Sequence, residues 1–538
     1  MSSDVSAVDG RLAFAPPAEP GESSTGRYGL VATPGAWTAG ALGAIAISAA
    51  LFLTGTRLGI GVLPDTTRYM GMNEVPYDAP LYAWTLALAV QTGLGMAAAA
   101  KWVGLALVVA NSALVWHLLA RTTGRIVPTA IGTGLIILSP QFVYLHALAL
   151  SEPLFLFFIL ATLLAFLRYL GTGSWGGLVG CAVLLGLCSL VRFTAPPLGA
   201  ALALTLLVRR EHAWPRRLAE VAVLGIVAGV LFVGWAAASE ASAGHSLGRE
   251  FAFNGTMGPA EWWRSLAVMT AWLLPDQVPF ALRVTLLAAV LVAGTWLTAR
   301  ITRRALASPA QGQDAAVQLM PMTLAAFFVA YLLFMVLATA IEANLALSGR
   351  YAFPPYVAAV LLMTIVTSTA SPGGAAREPL TLALACLGVL VLGGHVVRTT
   401  LRTWEMRGTG IGYAARTWKE SPTVQHLSRL PAGAEIWSNA PDAVTFLTAR
   451  PAHWLPVRAL QRTGKPDPAH PYPAQIDDLR RQLDRRPGYL VFFDQVQWRP
   501  YYRNSEAELA QALNLRLADR ASDGRIYTAG ASLREKQP

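Results

Sequence analysis

The chain has 538 residues, of which 54% are hydrophobic and 14% charged, with a mean hydropathy of +0.45 and a net charge of +11. Soluble domains carry about 25% charged residues, so this composition excludes a disordered chain, a coiled coil and a disulfide scaffold, and argues against an ordinary soluble enzyme. The apolar residues gather in long runs before residue 400, which is the pattern of a polytopic α-helical membrane protein.

The charge is unevenly spread. Residues 1–397 carry 21 basic and 17 acidic groups, and residues 398–538 carry 21 basic and 14 acidic groups. The last quarter therefore has the charge density of a soluble domain. No compact basic cluster interleaved with aromatics appears, so membrane lipids rather than nucleic acid are the expected partners of the basic balance. Only four of the 42 basic residues are Lys, a bias that suggests a GC-rich bacterial genome.

In chain order, residues 1–34 are rich in Ser, Gly, Pro and Glu and read as a disordered cytoplasmic tail. Apolar segments follow at about 36–56, 95–119, 126–145, 149–170, 174–191, 193–208, 218–238, 280–299, 318–341, 351–370 and 379–397. Taken as spans of roughly 20 residues, they give about eleven crossings in a membrane domain over 35–397. Cys181, Cys188 and Cys386 all fall in these segments, which predicts apolar packing and no disulfide. Lys and Arg set the orientation. With the N-terminus inside, 13 fall on the inner side and 8 on the outer before the tail, and the tight Arg pairs are all inside. Eleven spans then put 398–538 outside the cytoplasm.

Two outer loops are long. Loop 57–94 holds Asp65, Arg68, Tyr69, Glu74 and Asp78 and ends in a short apolar stretch, 80–92, that reads as an interfacial helix. Loop 239–279 carries Trp262, Trp263 and Trp272, read as interfacial anchors ahead of a sugar-stacking surface. The tail alternates strand-like AEIWSNA, GYLVFFDQV and RIYTAG with helix-like AQIDDLRRQL and EAELAQALNL, a small extracytoplasmic α/β domain. It has no phosphate-binding glycine loop and no nucleophile elbow.

Chemistry has few places to reside. Asp65, in Pro64-Asp65-Thr66-Thr67-Arg68-Tyr69, is either a base for a hydroxyl nucleophile or the N-cap of a short helix. His146 and Ser151-Glu152-Pro153 form a second polar island, with helix capping as its alternative. Arg192 and Arg350, the latter in Gly349-Arg350-Tyr351, snorkel to headgroups or clamp a phosphate through bidentate hydrogen bonds. There is no Walker A sequence, so a transferase outside the cytoplasm needs a preactivated donor, such as a sugar on a polyprenyl phosphate.

At this point the motifs form a set. Asp65-Thr-Thr-Arg68-Tyr69 after the first span resembles the Asp-Glu-x-Arg-Tyr loop of the GT-C membrane glycosyltransferases, in the branch of protein O-mannosyltransferases and bacterial aminoarabinose transferases. Pro80-Leu81-Tyr82, Ser151-Glu152-Pro153-Leu154-Phe155, Leu190-Val191-Arg192-Phe193 and Gly349-Arg350-Tyr351 with Pro354-Pro355 resemble later family features, over roughly 36–370. The chain departs from the pattern at Thr66, where the family often has a second acid, and at Asp78-Ala79, where it commonly has a basic residue.

The resemblance implies inverting transfer of a sugar from a polyprenyl-phosphate donor to a hydroxyl of a cell-envelope glycan, lipid or protein, at the outer face of a bacterial inner membrane. Asp65 is then the general base, and Arg68, Arg192 and Arg350 hold the leaving phosphate. Tyr69, Glu74, Asp78, Tyr82, His146, Glu152 and Tyr351 are substrate-binding candidates. No cofactor and no metal is expected. A lipid-linked saccharide transporter or flippase, and a non-catalytic envelope component, remain the alternatives.

Overall fold

The computed structural model describes residues 33–72, 79–243, 253, 257–307, 312–341, 345–369, 379–460, 465–496 and 506–529. All but the last two residues of the expected N-terminal tail lie outside this set, as do Glu74 and Asp78.

The membrane part is a succession of helices: α1 (Pro34–Gly55), α2 (Pro64–Tyr69), α3 (Leu81–Val90), α4 (Met96–Thr123), α5 (Ile126–Ile137), α6 (Pro140–His146), α7 (Glu152–Thr172), α8 (Trp175–Val191), α9 (Pro196–Val208), α10 (Trp214–Ala243), α11 (Pro259–Thr270), α12 (Phe280–Ala307), α13 (Gly312–Ile341), α14 (Phe353–Thr369) and α15 (Pro379–Thr409). Each of the eleven apolar segments is helical. Among the described residues, α1, α4, α7, α10, α12, α13 and α15 are long and apolar enough to cross a membrane, and the bent pair α5–α6 makes an eighth. The remaining three, α8, α9 and α14, have 17, 13 and 17 residues, short of the ~20 that span the hydrocarbon. By length and composition alone, seven or eight of the described helices qualify as spans. The protein is a multi-pass membrane protein in which α4 and α7 are the most buried of the long helices, and α1, α10 and α15 among the least.

The expected span 126–145 is broken. α5 and α6 meet at 56°, because Ser139 caps α6, its Oγ accepting from the Phe142 N–H at 3.2 Å, and Pro140 follows at the first helical position. A break in hydrocarbon frees carbonyls that need donors. The Tyr356 hydroxyl donates to the Leu135 carbonyl and the Thr399 hydroxyl to that of Leu138, both at 2.6 Å. Helices α14 and α15 therefore hold the kink. α15 itself runs to Thr409 rather than stopping at 397. Thr399, Thr403 and Met406 lie on its buried side, so one face of the helix stays packed after the apolar run has ended.

The C-terminal part comprises α16 (Arg416–Lys419), α17 (Pro422–Leu427), β1 (Glu435–Ser438), α18 (Pro441–Thr448), β2 (His453–Trp454), α19 (Tyr472–Arg485), β3 (Gly488–Phe493), α20 (Glu506–Ala512), β4 (Leu515–Ala521) and β5 (Gly524–Ala529). Its sheet runs β2-β1-β3-β5-β4, parallel through the first three strands and antiparallel through the last three. All three expected strands form. The expected helix 506–515 ends at Ala512, because Asn514 takes a left-handed φ of 48° that a short polar side chain tolerates, and Leu515 opens β4.

The two faces of this sheet pack on different things. Strand residues alternate in direction: Trp437, Leu490 and Phe492 pack with Ile476, Leu479 and Leu483 of α19 and Leu509 of α20. Ile436, Val491, Phe493 and Ile526 face the other way, into a core continuous with the membrane helices. Trp418 bridges the two parts, with ring centroids 5.1 Å from both Tyr413 and Phe493. The C-terminal part is thus built onto the membrane part rather than tethered to it.

Candidate active site

The site begins with a short parallel pairing. Residue Gly61, between α1 and α2, pairs with Leu148, between α6 and α7. The Gly61 N–H donates to the Ala147 carbonyl at 2.8 Å, and the Ala149 N–H donates back to the Gly61 carbonyl at 2.9 Å. Beyond the bridge both chains turn into helices, α2 at Pro64 and α7 at Glu152, so the pairing sets these two helix starts beside one another. Four residues on from the bridge, 61 to 65 and 148 to 152, come Asp65 and Glu152. Two carboxylates 87 positions apart in sequence (65 to 152) are so delivered to one place.

Asp65 is not the N-cap of α2. That position is Leu63, with Pro64 next, and the Leu63 N–H donates to the Thr66 hydroxyl at 3.1 Å. The carboxylate is free to face outward, and both of its oxygens are engaged. Arg68 lies 3.0 Å from Oδ1 and Arg350 Nη1 donates to Oδ2 at 2.7 Å. Arg350 also donates through Nε to Glu152 Oε1 at 2.6 Å, so a single guanidinium joins the two acids. Arg192 Nη1 sits 3.0 Å from the same Glu152 oxygen. Glu152 is buried, with 4% of its side chain exposed, whereas Asp65 is 30% exposed. Glu152 Oε2 has no hydrogen-bond partner among the described residues. Burial works against the charge on Asp65, but Arg68 and Arg350, with Arg192 behind them, override it and hold its pKa down at about 2.

Arg192 owes its position to the end of α8, where it is the C-cap. Besides Glu152, it donates to the Ser151 hydroxyl at 3.0 Å and lies 5.2 Å from the centroid of the Tyr351 ring. Ser151 does not cap α7 with its side chain; its hydroxyl links Arg192 to the Tyr69 hydroxyl, 3.1 Å away. Tyr69 in turn meets Tyr82 edge to face at 5.2 Å, and Tyr82 is only 2% exposed. The structure thus brings Asp65, Arg68, Tyr69, Tyr82, Glu152, Arg192, Arg350 and Tyr351 into one continuous cluster. Three guanidiniums face two carboxylates in it, an excess of one positive charge among the described residues.

His146 lies behind this cluster. Its Nδ1–H donates to the Phe142 carbonyl at 2.8 Å, so Nε2 accepts from Asn111 Nδ2 at 3.0 Å. Both ring nitrogens are used and the residue is 1% exposed. Its place is structural: Asn111 also donates to the Pro153 carbonyl at 2.9 Å, fixing the first turn of α7 beside Glu152. Asn111 escaped the sequence reading although a signal was there, since an amide inside the apolar run of α4 needs a reason. Among the described residues no group of three or more His, Cys, Asp or Glu is placed to hold a metal ion.

The comparisons with known proteins agree with this architecture. A profile of the dolichyl-phosphate-mannose-protein mannosyltransferase family matches residues 76–235, a stretch that includes Glu152 and Arg192 but not Asp65 or Arg350. No curated protein matches the sequence. Among solved structures, the chain is similar to ArnT from Cupriavidus metallidurans in the apo state, with a TM-score of 0.51 and 15% identity over 93% of this chain and 99% of that one. The same protein bound to undecaprenyl phosphate gives 0.51 and 14% over 94% and 100%. The archaeal oligosaccharyltransferase AglB from Archaeoglobus fulgidus, in complex with an inhibitory peptide and a dolichol-phosphate, gives 0.51 and 11% over 85% and 70%. The likeness to ArnT takes in the C-terminal part as well as the helices. The chain has the fold of the GT-C membrane glycosyltransferases.

Proposed function

We propose that this GT-C-fold chain is a glycosyltransferase that moves a sugar from a polyprenyl-phosphate donor to a hydroxyl of a cell-envelope acceptor, with inversion. The observation that carries the reading is the cluster itself: an accessible carboxylate, a buried one and three arginines, gathered from four distant segments. A polyprenyl-phosphate sugar is a phosphodiester with one negative charge, an anion that arginines bind by charge-assisted hydrogen bonds. ArnT bound to undecaprenyl phosphate, and the mannosyltransferase profile match, support a lipid-linked donor.

In the reaction the acceptor O–H gives its proton to Asp65 while its oxygen forms a bond to the anomeric carbon. The bond from that carbon to the phosphate oxygen breaks, and the electron pair leaves on the phosphate, which goes from one negative charge to two. Arg68, Arg192 and Arg350 stabilise the charge that develops there. In the resting site both Asp65 oxygens are occupied by Arg68 and Arg350. An incoming phosphate competes for those guanidiniums, frees a lone pair on Asp65 and raises its pKa, so donor binding switches the base on. Glu152 holds Arg192 and Arg350 in place throughout.

Orientation follows from the arginines. The cluster sits where α1 and α8 end and where α7 and α14 begin. Arg209, Arg210, Arg216, Arg217, Arg303 and Arg304 lie at the other end of the bundle, and the positive-inside rule makes that end cytoplasmic. The transfer site and the C-terminal domain then face outward from a bacterial inner membrane.

The test uses protein reconstituted in lipid, a panel of polyprenyl-phosphate sugars and envelope extract as acceptor, with the anomeric configuration of the product read by NMR. One donor is expected to yield a glycoside of inverted configuration. A donor carried across the bilayer intact, with no glycoside formed, would make the protein a carrier instead.

A further inference from the structure

We propose that residues 411–413, where the C-terminal domain begins, are a positioning element of the transfer site, acting through the chain segment that leads into Asp65. The inference rests on the transferase reading above and adds residues that no motif in the sequence marks.

Segment 58–63 joins α1 to α2 and is the middle strand of a three-segment parallel ladder. On one side Gly61 pairs with Leu148 and on the other Val62 pairs with Gly412. The Tyr413 N–H donates to the Val62 carbonyl at 2.8 Å. Val62 and Ile60 are buried, at 0% and 2% exposure. Lys419, on α16, reaches back to donate to the Leu58 carbonyl at 2.6 Å. Three residues after Val62 stands Asp65. The pairing with 147–149 sets the register of Asp65 against Glu152; the pairing with 411–413 closes the free edge of the same segment and fixes its height. Helix α18 packs beside α2, and Tyr413 ties the two together by donating to the buried Asp442 of α18 at 2.5 Å.

Gly412 is required by this geometry. It has a φ of +56°, and a Cβ there would lie 2.1 Å from the Val62 carbonyl oxygen. A side chain at 412 therefore pushes on the segment that carries Asp65, and that carboxylate meets Arg350 at 2.7 Å. The charged groups around it are Arg68 on its own helix, Arg350 before α14 and Arg192 at the end of α8, with Glu152 at the start of α7 holding the last two.

The experiment is steady-state kinetics on the full chain in lipid, normalised to folded protein, with pH profiles of kcat/KM for the donor. Gly412→Ala is expected to lower kcat about 100-fold, the cost of roughly 1 Å of misplacement, with the donor KM within about twofold. Its acid limb should move to higher pH, because Asp65 drawn off Arg350 loses the charge that depresses its pKa. A purely structural role would lower the yield of folded protein and leave both kcat and the pH profile alone. Where Gly412→Ala does not fold, Lys419→Met and Lys419→Arg decide. The Met variant should lose kcat and the Arg variant, which still donates to the Leu58 carbonyl, should recover most of it. Arg520→Ala, on the far strand β4, should change neither. Wild-type kcat and pH profile in both Gly412→Ala and Lys419→Met would overturn the positioning role. Absence of turnover in the wild type would instead overturn the transferase reading on which it rests.

Discussion

Among the described residues a charge cluster sits at each end of α7, and the two are built on different plans. At the first end, residues 65, 152, 192 and 350 converge from four segments, and guanidiniums meet carboxylates. At the other end, about 30 Å away along a 21-residue helix, Arg209, Glu211, His212, Arg216 and Glu220 all come from one helical hairpin. There the arginines divide their hydrogen bonds between carboxylates of the same hairpin and backbone carbonyls: Arg209 donates to Glu211 and the Leu170 carbonyl, Arg216 to Glu220 and the Gly173 carbonyl, and Arg217 to the His212 and Leu207 carbonyls. The Leu170 and Leu207 carbonyls are among those a helix leaves unmade at its C-terminus. Glu220, fully buried, takes His212 and Arg216 at 2.7 and 3.1 Å. A cluster that satisfies backbone carbonyls holds a turn together. A cluster in which Arg192 and Arg350 bind side chains drawn from distant segments, beside an acid 30% exposed, is equipped to take a ligand.

Substitutions at the two ends should separate activity from stability. Asp65→Asn removes the base at little cost in shape and should lower kcat by about 10²–10⁴. Arg350→Gln withdraws one donor from the departing phosphate and should cost about 10²–10³ in kcat. It also carries a pH signature. The Asp65 carboxylate is held at about 2 by its arginines; with one gone its pKa rises, so the acid limb of kcat/KM for the donor must move to higher pH. A limb that moved lower, or not at all, would break the link between Arg350 and the base. Tyr69→Phe deletes the hydroxyl's contact to Ser151 and should change kcat/KM by about tenfold or less, the worth of one hydrogen bond. At the other end, Glu220→Gln should lower thermal stability by about 2 kcal/mol, leaving kcat per folded molecule unchanged. Loss of kcat there equal to that in Arg350→Gln would erase the distinction between the two clusters.

The residues of the first cluster were legible one at a time. Asp65, Arg68, Glu152, Arg192 and Arg350 each stood out because a charge at the edge of an apolar run has to be explained. Their mutual arrangement was not legible, because it depends on a backbone pairing between Gly61, Leu148 and Gly412. Those stretches are short and irregular, and in the sequence Gly61 falls in an outer loop, Leu148 between two apolar runs and Gly412 in the tail, with nothing to pair them. Ser151 read as a helix cap and proves to be the link between Arg192 and Tyr69. His146 read as a substrate contact and has both nitrogens committed inside the fold. In the tail, the strands with alternating apolar residues were readable from pattern. β4, LRLADRA, was not, since five of its seven residues are polar or Ala and its register slips between Leu517 and Asp519. The apolar runs marked the helices, and the turns at Arg192 and Gly349, but not how far a helix continues on polar residues: α12 runs on to Ala307 and α15 to Thr409.

The central claim is that donor cleavage depends on Asp65. The direct measurement is mass spectrometry of polyprenyl phosphate released from the preferred donor by wild type and Asp65→Asn in lipid, at donor occupancies matched by a binding assay. The account predicts rapid release by the wild type and at least about 10²-fold slower release by the variant, with donor affinity retained. Equal release from both would contradict it.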